Sequence, residues 1–292
     1  MYRNVEFRSD GTMIRGRFYT PPNSSGLLPT VIMAPGFGGL IQHSPCTYAE
    51  VFAAGGLAVL AYDHPCFGAS DGLPRQDVDH IRQRRAYRDA ISFVQSLPEV
   101  DPARIGLWGS SYGGGHVIEV TAQDPRVRCV VAQVPTISGY AQARRRMTSD
   151  AMRAMRARFD EDRARRLGGA EPATLPMVSI DPANPGYFNN QAAFDNYIAV
   201  PEFVNQITLR SIEMAWENEP AINIDRVSPR PLLMIVADED EATPSDLALS
   251  AFNRALEPKQ FLLVKGGHFS PYHEHFELTS TAARDWYLRH LK

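Results

Sequence analysis

The sequence predicts an α/β protein: a mostly parallel central sheet, helices on both faces, and one long helical insertion. Three observations carry this expectation. Short, continuous apolar runs recur along the chain, among them "LPTVIMAPG", "LAVLAYDHP", "RIGLWGS" and "PLLMIVAD". Strands buried on both faces have this composition, whereas half-exposed strands alternate. Segments with helical periodicity separate the runs, as the crossovers of a parallel sheet require. The rhythm stops between residues 138 and 222 and then resumes.

Taken in order, residues 4–9 and 12–20 form two strands around "SDG", a hairpin turn signal. Residues 28–36 are an apolar strand that runs into the glycine-rich "PGFGG". A helix is expected over 43–56, closed by "GG", then a strand over 57–65 and the turn-rich "CFGASDG". A helical apolar spacing covers 75–97 through Val78, Ile81, Ala86, Ala90, Ile91 and Val94. "RIGLWGS" is the next buried strand, 112–123 a helix, and "RVRCVVAQVP" another strand. The stretch 138–222 contains no convincing core strand; "ARRRMTSDAMRAMRARFDEDRARRLGG" reads as an Arg-rich helical stretch, and the part from Ala193 to Pro220 as one or two more helices. Strands at 231–238 and 259–266 then alternate with helices at 245–256 and 276–291. The division is therefore a core of residues 1–136 and 223–292, with 137–222 inserted as a helical cap. About 85 residues is more than an ordinary crossover needs.

The chemistry begins at "GLWGSSYGGG". Ser111 stands between Gly109 and Gly113, at the end of a strand and the start of a helix, which is the pattern of a nucleophile elbow. So tight a turn forces the serine into an unfavourable backbone conformation, and side chains two residues to either side would collide. Ser110 lacks this flanking spacing and reads as an ordinary serine. A serine hydroxyl is a weak nucleophile until a base, oriented by a third group, takes its proton. After such an elbow the chain order is serine, acid, histidine. His268, in "VKGGHFSPY", follows an apolar strand where ligands bind in open α/β sheets and is the candidate base. His64 follows a strand too early in the chain, His273 and His275 lie at the start of the last helix, and His116 rides on the elbow helix. The acid comes from "VADEDEATP", where Asp238 and Asp240 are the two candidates. The backbone N–H of Tyr112, at a helix N-terminus, and that of Phe37, in "APGFGG", are the expected oxyanion donors, with Gly38 as the neighbour able to replace Phe37.

Together, "APGFGG", "YDHPCFGASDG", "GLWGSSYGGG", "ADEDEATP" and "GGHF" resemble the α/β-hydrolase superfamily over roughly residues 28–136 and 226–291. More narrowly the chain resembles bacterial proteins related to dienelactone hydrolase and acetyl xylan esterase, and the peptidase family of the X-prolyl aminopeptidases and cocaine esterase. It also resembles fungal polyketide transferases with a similar helical insertion. In such enzymes the acid lies in Gly-x-x-Asp with Pro four residues later. Here Ala237, Asp240 and Pro244 take those places, so the resemblance implies a triad of Ser111, Asp240 and His268, with Asp238 second in line for the acid. "APG" in place of His-Gly before the oxyanion loop and Ala237 in place of Gly are its departures.

The expected activity is ester hydrolysis through an acyl-enzyme, without metal or organic cofactor. The alternatives are transfer of the acyl group to an alcohol or amine, and peptidase or amidase chemistry. The insertion would cap the pocket, and Met147, Met152, Met155, Phe159, Phe188, Phe194, Tyr197, Phe203, Met214 and Trp216 either line it or pack the cap's helices. Between Arg144 and Arg166, nine arginines face four acids, the usual composition of a solvated face and the composition that would also receive an acidic substrate. A net charge of −3 gives no global basic field for nucleic acid, and no apolar run approaches the ~18 residues of a membrane span. Three cysteines without ligand spacing and an N-terminus without an apolar leader point to a reducing, cytoplasmic setting. The expected partner is a small-molecule ester or acyl substrate, with a homodimer the one macromolecular association considered.

Overall fold

Asp10 and Gly11 both take positive φ, 45° and 77°, and join strands β1 (Tyr2–Ser9) and β2 (Thr12–Tyr19) in the tightest hairpin an antiparallel pair allows. The computed structural model describes residues 1–22 and 24–292. The core continues with β3 (Leu28–Ala34), α1 (Pro45–Ala54), β4 (Ala58–Tyr62), α2 (His80–Gln95), β5 (Val100–Ser110), α3 (Tyr112–Gln123) and β6 (Val127–Gln133). Helices α4 (Gly139–Arg146) and α5 (Ser149–Leu167), strand β7 (Thr174–Leu175), helix α6 (Gln191–Ile198), strand β8 (Ile207–Thr208) and helix α7 (Leu209–Glu217) follow. The chain returns through a 3-10 helix, Pro220–Val227, to β9 (Leu232–Ala237), α8 (Ser245–Arg254), β10 (Lys259–Val264) and α9 (Phe276–His290).

The main sheet runs β1-β2-β4-β3-β5-β6-β9-β10. The β1–β2 and β2–β4 pairs are antiparallel, and every pair from β4 onward to β10 is parallel. Because successive side chains point to opposite faces, one strand feeds two cores. Ile32 and Leu107 join a layer under α2, α3 and α8 with Tyr87, Ile91, Val117 and Ala251. Val31, Met33 and Trp108 join the opposite layer under α1 and α9 with Tyr48, Phe52, Trp286 and Tyr287. Each fully buried Val, Ile, Leu, Met or Phe side chain contributes roughly 1.5–3 kcal/mol of transfer free energy. The segment between β6 and β9 has a smaller core of Met152, Phe159, Leu209, Ile212 and Trp216. A second cluster ties it to the loops of the sheet, with Met177, Tyr197 and Ile207 against Phe37, Leu40 and Tyr112.

Several element boundaries differ from the sequence expectation, each for a local reason. Helix α2 starts at His80 rather than near residue 75, because the Asp79 side chain accepts hydrogen bonds from Ile81 N and Arg82 N and caps it there. The freed segment reaches the insertion: Val78 N donates to Ser211 Oγ at 2.7 Å, and Thr208 N donates to Gln76 O at 3.0 Å. The Arg-rich stretch is two helices. Met147 is extended (ψ 141°), and Thr148 caps the next helix by accepting from Ala151 N. The insertion also holds a two-stranded sheet, β7 with β8, outside the main one.

Candidate active site

Strand β5 ends at Ser110 and helix α3 starts at Tyr112, so Ser111 alone makes the turn, with φ 57° and ψ −119°. This left-handed backbone is costly for any side chain but glycine. The flanking glycines are a steric requirement. A Cβ on Gly109 would lie 2.1 Å from Gly113 O, and one on Gly113 would lie 2.8 Å from Pro35 O. Register then gathers the site. Ala34 pairs with Gly109, Ser110 with Gln133, Gln133 with Ile235, and Ala237 with Val264, so five parallel strands end along one edge. The loops leaving that edge carry Phe37, Ser111, Asp240 and His268.

Ser111, His268 and Asp240 meet in one hydrogen-bonded line. Ser111 Oγ lies 3.0 Å from His268 Nε2, and His268 Nδ1 lies 2.7 Å from Asp240 Oδ2. With the proton on Nδ1, the imidazole donates to the carboxylate and presents a lone pair to the hydroxyl. The buried Asp240 is held from several sides: Oδ1 accepts from Ala242 N at 2.8 Å and Thr243 N at 2.7 Å, and Oδ2 lies 2.8 Å from Thr243 Oγ1. A carboxylate so held fixes the tautomer and ring orientation of the histidine beside it and stabilises the imidazolium form. Such an arrangement can accept a proton from Ser111 as its oxygen attacks an electrophile.

The other acid candidate lies elsewhere. Asp238 Oδ1 accepts from Gly266 N at 2.7 Å, so Asp238 joins the loops after β9 and β10. Ser110 is buried and its hydroxyl is hydrogen-bonded to Tyr272 OH. His273 and His275 precede α9, bonded to Asn196 Oδ1 and to Lys265 O. Behind the elbow, His64 Nε2 lies 3.2 Å from Pro35 O and His116 Nε2 lies 2.9 Å from Gln83 Oε1. Burial lowers the His64 pKa to about 3, against a smaller opposing effect of the Pro35 carbonyl, and puts that of His116 well below its ordinary value. His64 thus touches the loop that carries Phe37, and His116 lies on α3 with its ring 4.7 Å from that of Tyr112.

A small cavity of about 30 Å³ sits over Ser111, walled by Phe37, Tyr112, Thr136, Gln142, Arg146 and Thr243 among others. Phe37 and Tyr112 thus border the same space as Ser111, and the hydrogen bonds of the described residues include none donated by either backbone N–H. Gly38 takes φ 63° and packs on Met177. Beyond the small cavity opens a cleft of about 1260 Å³ between helices α4, α5 and α7 and the loop after β9. Met147, Met155, Phe188 and Trp216 line this cleft, whereas Met152 and Phe159 pack inside the insertion. Thr243, Gln142 and Tyr187 are site residues that the sequence did not single out. For Thr243 the signal is partial: an aspartate commonly accepts from the backbone N–H groups two and three residues on, as Asp240 does from Ala242 and Thr243, but that pattern does not specify a threonine. Gln142 and Tyr187 carry no such signal, because only the tertiary fold brings the insertion over Ser111. Among the described residues no group of three or more His, Cys, Asp or Glu side chains could hold a metal ion, and no helix is long and apolar enough to cross a membrane.

Sequence and fold comparisons agree with this architecture. A thiohydrolase of Aspergillus aculeatus, aneE, is 33% identical over 272 residues, 89% of this chain and 83% of that protein. The polyketide transferase grgF of a Penicillium species is 30% identical over 298 residues, 99% of this chain and 96% of that protein. The crystal structure of the alpha/beta hydrolase GrgF from Penicillium sp. sh18 matches with a TM-score of 0.86 at 29% identity, covering 100% of this chain and 99% of that one. A sequence model of the alpha/beta hydrolase family matches residues 31–281, so this chain belongs to the alpha/beta hydrolase family.

Proposed function

We propose that this protein is a serine acyl-transfer enzyme that forms an acyl-enzyme on Ser111 and passes the acyl group to water. The observation that carries the proposal is the line from Ser111 Oγ to His268 Nε2, 3.0 Å, and from His268 Nδ1 to Asp240 Oδ2, 2.7 Å. As Ser111 attacks the carbonyl carbon, its proton moves to His268, and Asp240 stabilises the resulting imidazolium. The negative charge that develops on the carbonyl oxygen is met by the Phe37 and Tyr112 N–H groups, the latter at the positive end of the α3 dipole. Collapse expels the leaving group with the proton held by His268. Water, deprotonated by the same imidazole, then attacks the acyl-enzyme and restores Ser111.

The substrate is a carboxylic ester or a thioester; the thiohydrolase name of the Aspergillus relative supports a sulfur leaving group. The polyketide transferase name of the Penicillium relative supports a second outcome, in which an alcohol or amine replaces water as acceptor. The wide cleft beyond the small cavity over Ser111 has room for such an acceptor. Trapping tests the proposal: a fluorophosphonate should add covalently to Ser111, and the Ser111→Ala protein should remain unlabelled and inactive on p-nitrophenyl and thioester substrates. Labelling at another residue, or turnover retained by Ser111→Ala, would refute it. Product analysis with and without added alcohols separates hydrolysis from transfer.

A further inference from the structure

The small cavity over Ser111 and the wide cleft share four wall residues: Arg146, Tyr187, Phe188 and Ala242. These form the partition that a substrate must span if its carbonyl sits at Ser111 and its chain extends into the cleft. The cleft walls are of two kinds. Met147, Met155, Leu175, Ile212 and Trp216 offer an apolar surface, while Asp238, Glu239 and Glu241 come from the loop after β9, which Arg146 itself meets at Ala242 O.

Arg146 is the charge at the partition. Its guanidinium donates to Ala242 O and lies over two aromatic rings, 5.8 Å from the Tyr187 centroid and 5.3 Å from that of Phe188. Ala242 O is also held by Gln142 Nε2 at 2.8 Å, so the loop that bears Asp240 does not depend on Arg146 for its anchor. The two rings, inclined to each other at 61°, flank the guanidinium, whose remaining N–H groups are available to a ligand. Among the described residues no carboxylate pairs with Arg146, whereas its neighbour Arg145 is paired with Asp246 at 2.6 Å. A second arginine on the cleft wall, Arg158, likewise has no carboxylate partner among the described residues, and its guanidinium meets the Met155 sulfur at 4.0 Å.

We infer that Arg146 reads a carboxylate on the substrate, placed across the partition from the carbonyl that meets Ser111, while the intervening chain lies on the apolar wall. This rests on the acyl-transfer proposal for the location of the carbonyl, but the anion site itself is testable without turnover. Arg146 is exposed, so a planar, bidentate contact with a carboxylate gives discrimination of about fivefold.

The experiment measures equilibrium binding to the Ser111→Ala protein by titration calorimetry. The ligands are monomethyl suberate, which carries one carboxylate, and dimethyl suberate, which carries none. The monoanion should bind about fivefold more tightly. Arg146→Gln should erase the difference, and Arg146→Lys should restore part of it through charge without the fork. Equal affinities for the two ligands, or a preference untouched by Arg146→Gln in a protein with an unchanged melting temperature, would overturn the inference. A kinetic arm on the otherwise unaltered enzyme locates the carboxylate. Mono-p-nitrophenyl suberate carries it on the acyl group, and the octanoyl thioester of 3-mercaptopropionate carries it on the leaving group. A preference over the matching methyl esters in either arm, lost in Arg146→Gln, supports the inference and names the side. Retained binding preference without turnover of any substrate would refute the acyl-transfer proposal and leave the anion site standing.

Discussion

The sheet core and the inserted helices follow different rules. In the core, β4 is buried along its whole length and β9 likewise, and Trp108, Tyr48 and Phe52 are fully enclosed. In the insertion, α5 buries only Met152, Phe159 and Asp162 of its 19 residues and is held otherwise by a thin seam against α7. The proposed chemistry stands on the first region and the cleft wall on the second. The difference teaches that Ser111, Asp240 and His268 are placed by strand register, which tolerates little displacement, whereas the cleft wall is built from elements with a small core, able to vary without disturbing the sheet.

The largest expected effect concerns the core alone. Ser111→Ala should lower kcat about 10⁴-fold or more, with the melting temperature almost unchanged, because only the attacking oxygen is removed. A lesser kinetic loss would break the assignment of chemistry to the sheet edge. Next, Asp240→Asn should cost about 10²–10⁴-fold in kcat by disturbing the histidine tautomer, while Asp238→Asn should change it only a few-fold and act on stability through the loop contact with Gly266. The opposite ranking, read from steady-state kinetics and urea melts, would transfer the role to Asp238.

Stability measurements sharpen the contrast between regions. Trp108→Ala should destabilise by about 3–5 kcal/mol, since the ring is fully enclosed between β5 and the α1 and α9 layer. Trp216→Ala, in the smaller core of the insertion, should cost about half as much yet reduce kcat/KM, because that ring also lines the cleft. Equal losses in chemical denaturation would mean that Trp216 is packed as tightly as Trp108 and would remove the contrast.

Acid should act on the core. His64 and His80 have pKa values lowered to about 3 and about 4 by burial, and that of His116 lies well below its ordinary value for the same reason. Between pH 6.5 and about 4 the unfolded chain therefore binds protons that the folded chain does not. Stability present above pH 6.5 is lost as the pH falls, by about 1.4 kcal/mol per pH unit for each such histidine. Replacing His116 with Gln should remove about one proton from the slope of urea-unfolding free energy against pH, and an unchanged slope would mean that His116 is protonated in the folded state. The smallest effect belongs to the insertion surface. Arg153→Ala, which removes an exposed pair with Asp150, should change stability by less than about 0.5 kcal/mol.

Much of the fold was legible because two-sided burial writes itself into composition. "LPTVIMA", "LAVLAY" and "PLLMIVA" leave little besides a covered parallel sheet, and the glycines at 109 and 113 announce a turn that a Cβ would block. Element ends were less legible, as at α2, where one capping aspartate moved the start to residue 80. For the acid, the residues alone left Asp238 and Asp240 open, and only the resemblance ranked them. Their contacts now differ, with Asp240 against His268 and Asp238 against Gly266. Within the insertion, alternation and helical spacing could not tell a cleft-lining methionine such as Met155 from a packed one such as Met152.

The sequence by itself determined what is local: the hairpin at Asp10 and Gly11, the strands that must be covered on both faces, and the strained bend at Ser111. Each follows from steric limits and solvent exclusion within a few residues of chain. The tertiary structure alone decided that His268 lies against Ser111, 157 positions earlier, and that Arg146, Tyr187 and Phe188 divide two cavities above them. Those contacts depend on strand register and on where the inserted helices come to rest, and both are set by the packing of the whole chain rather than by any segment of it.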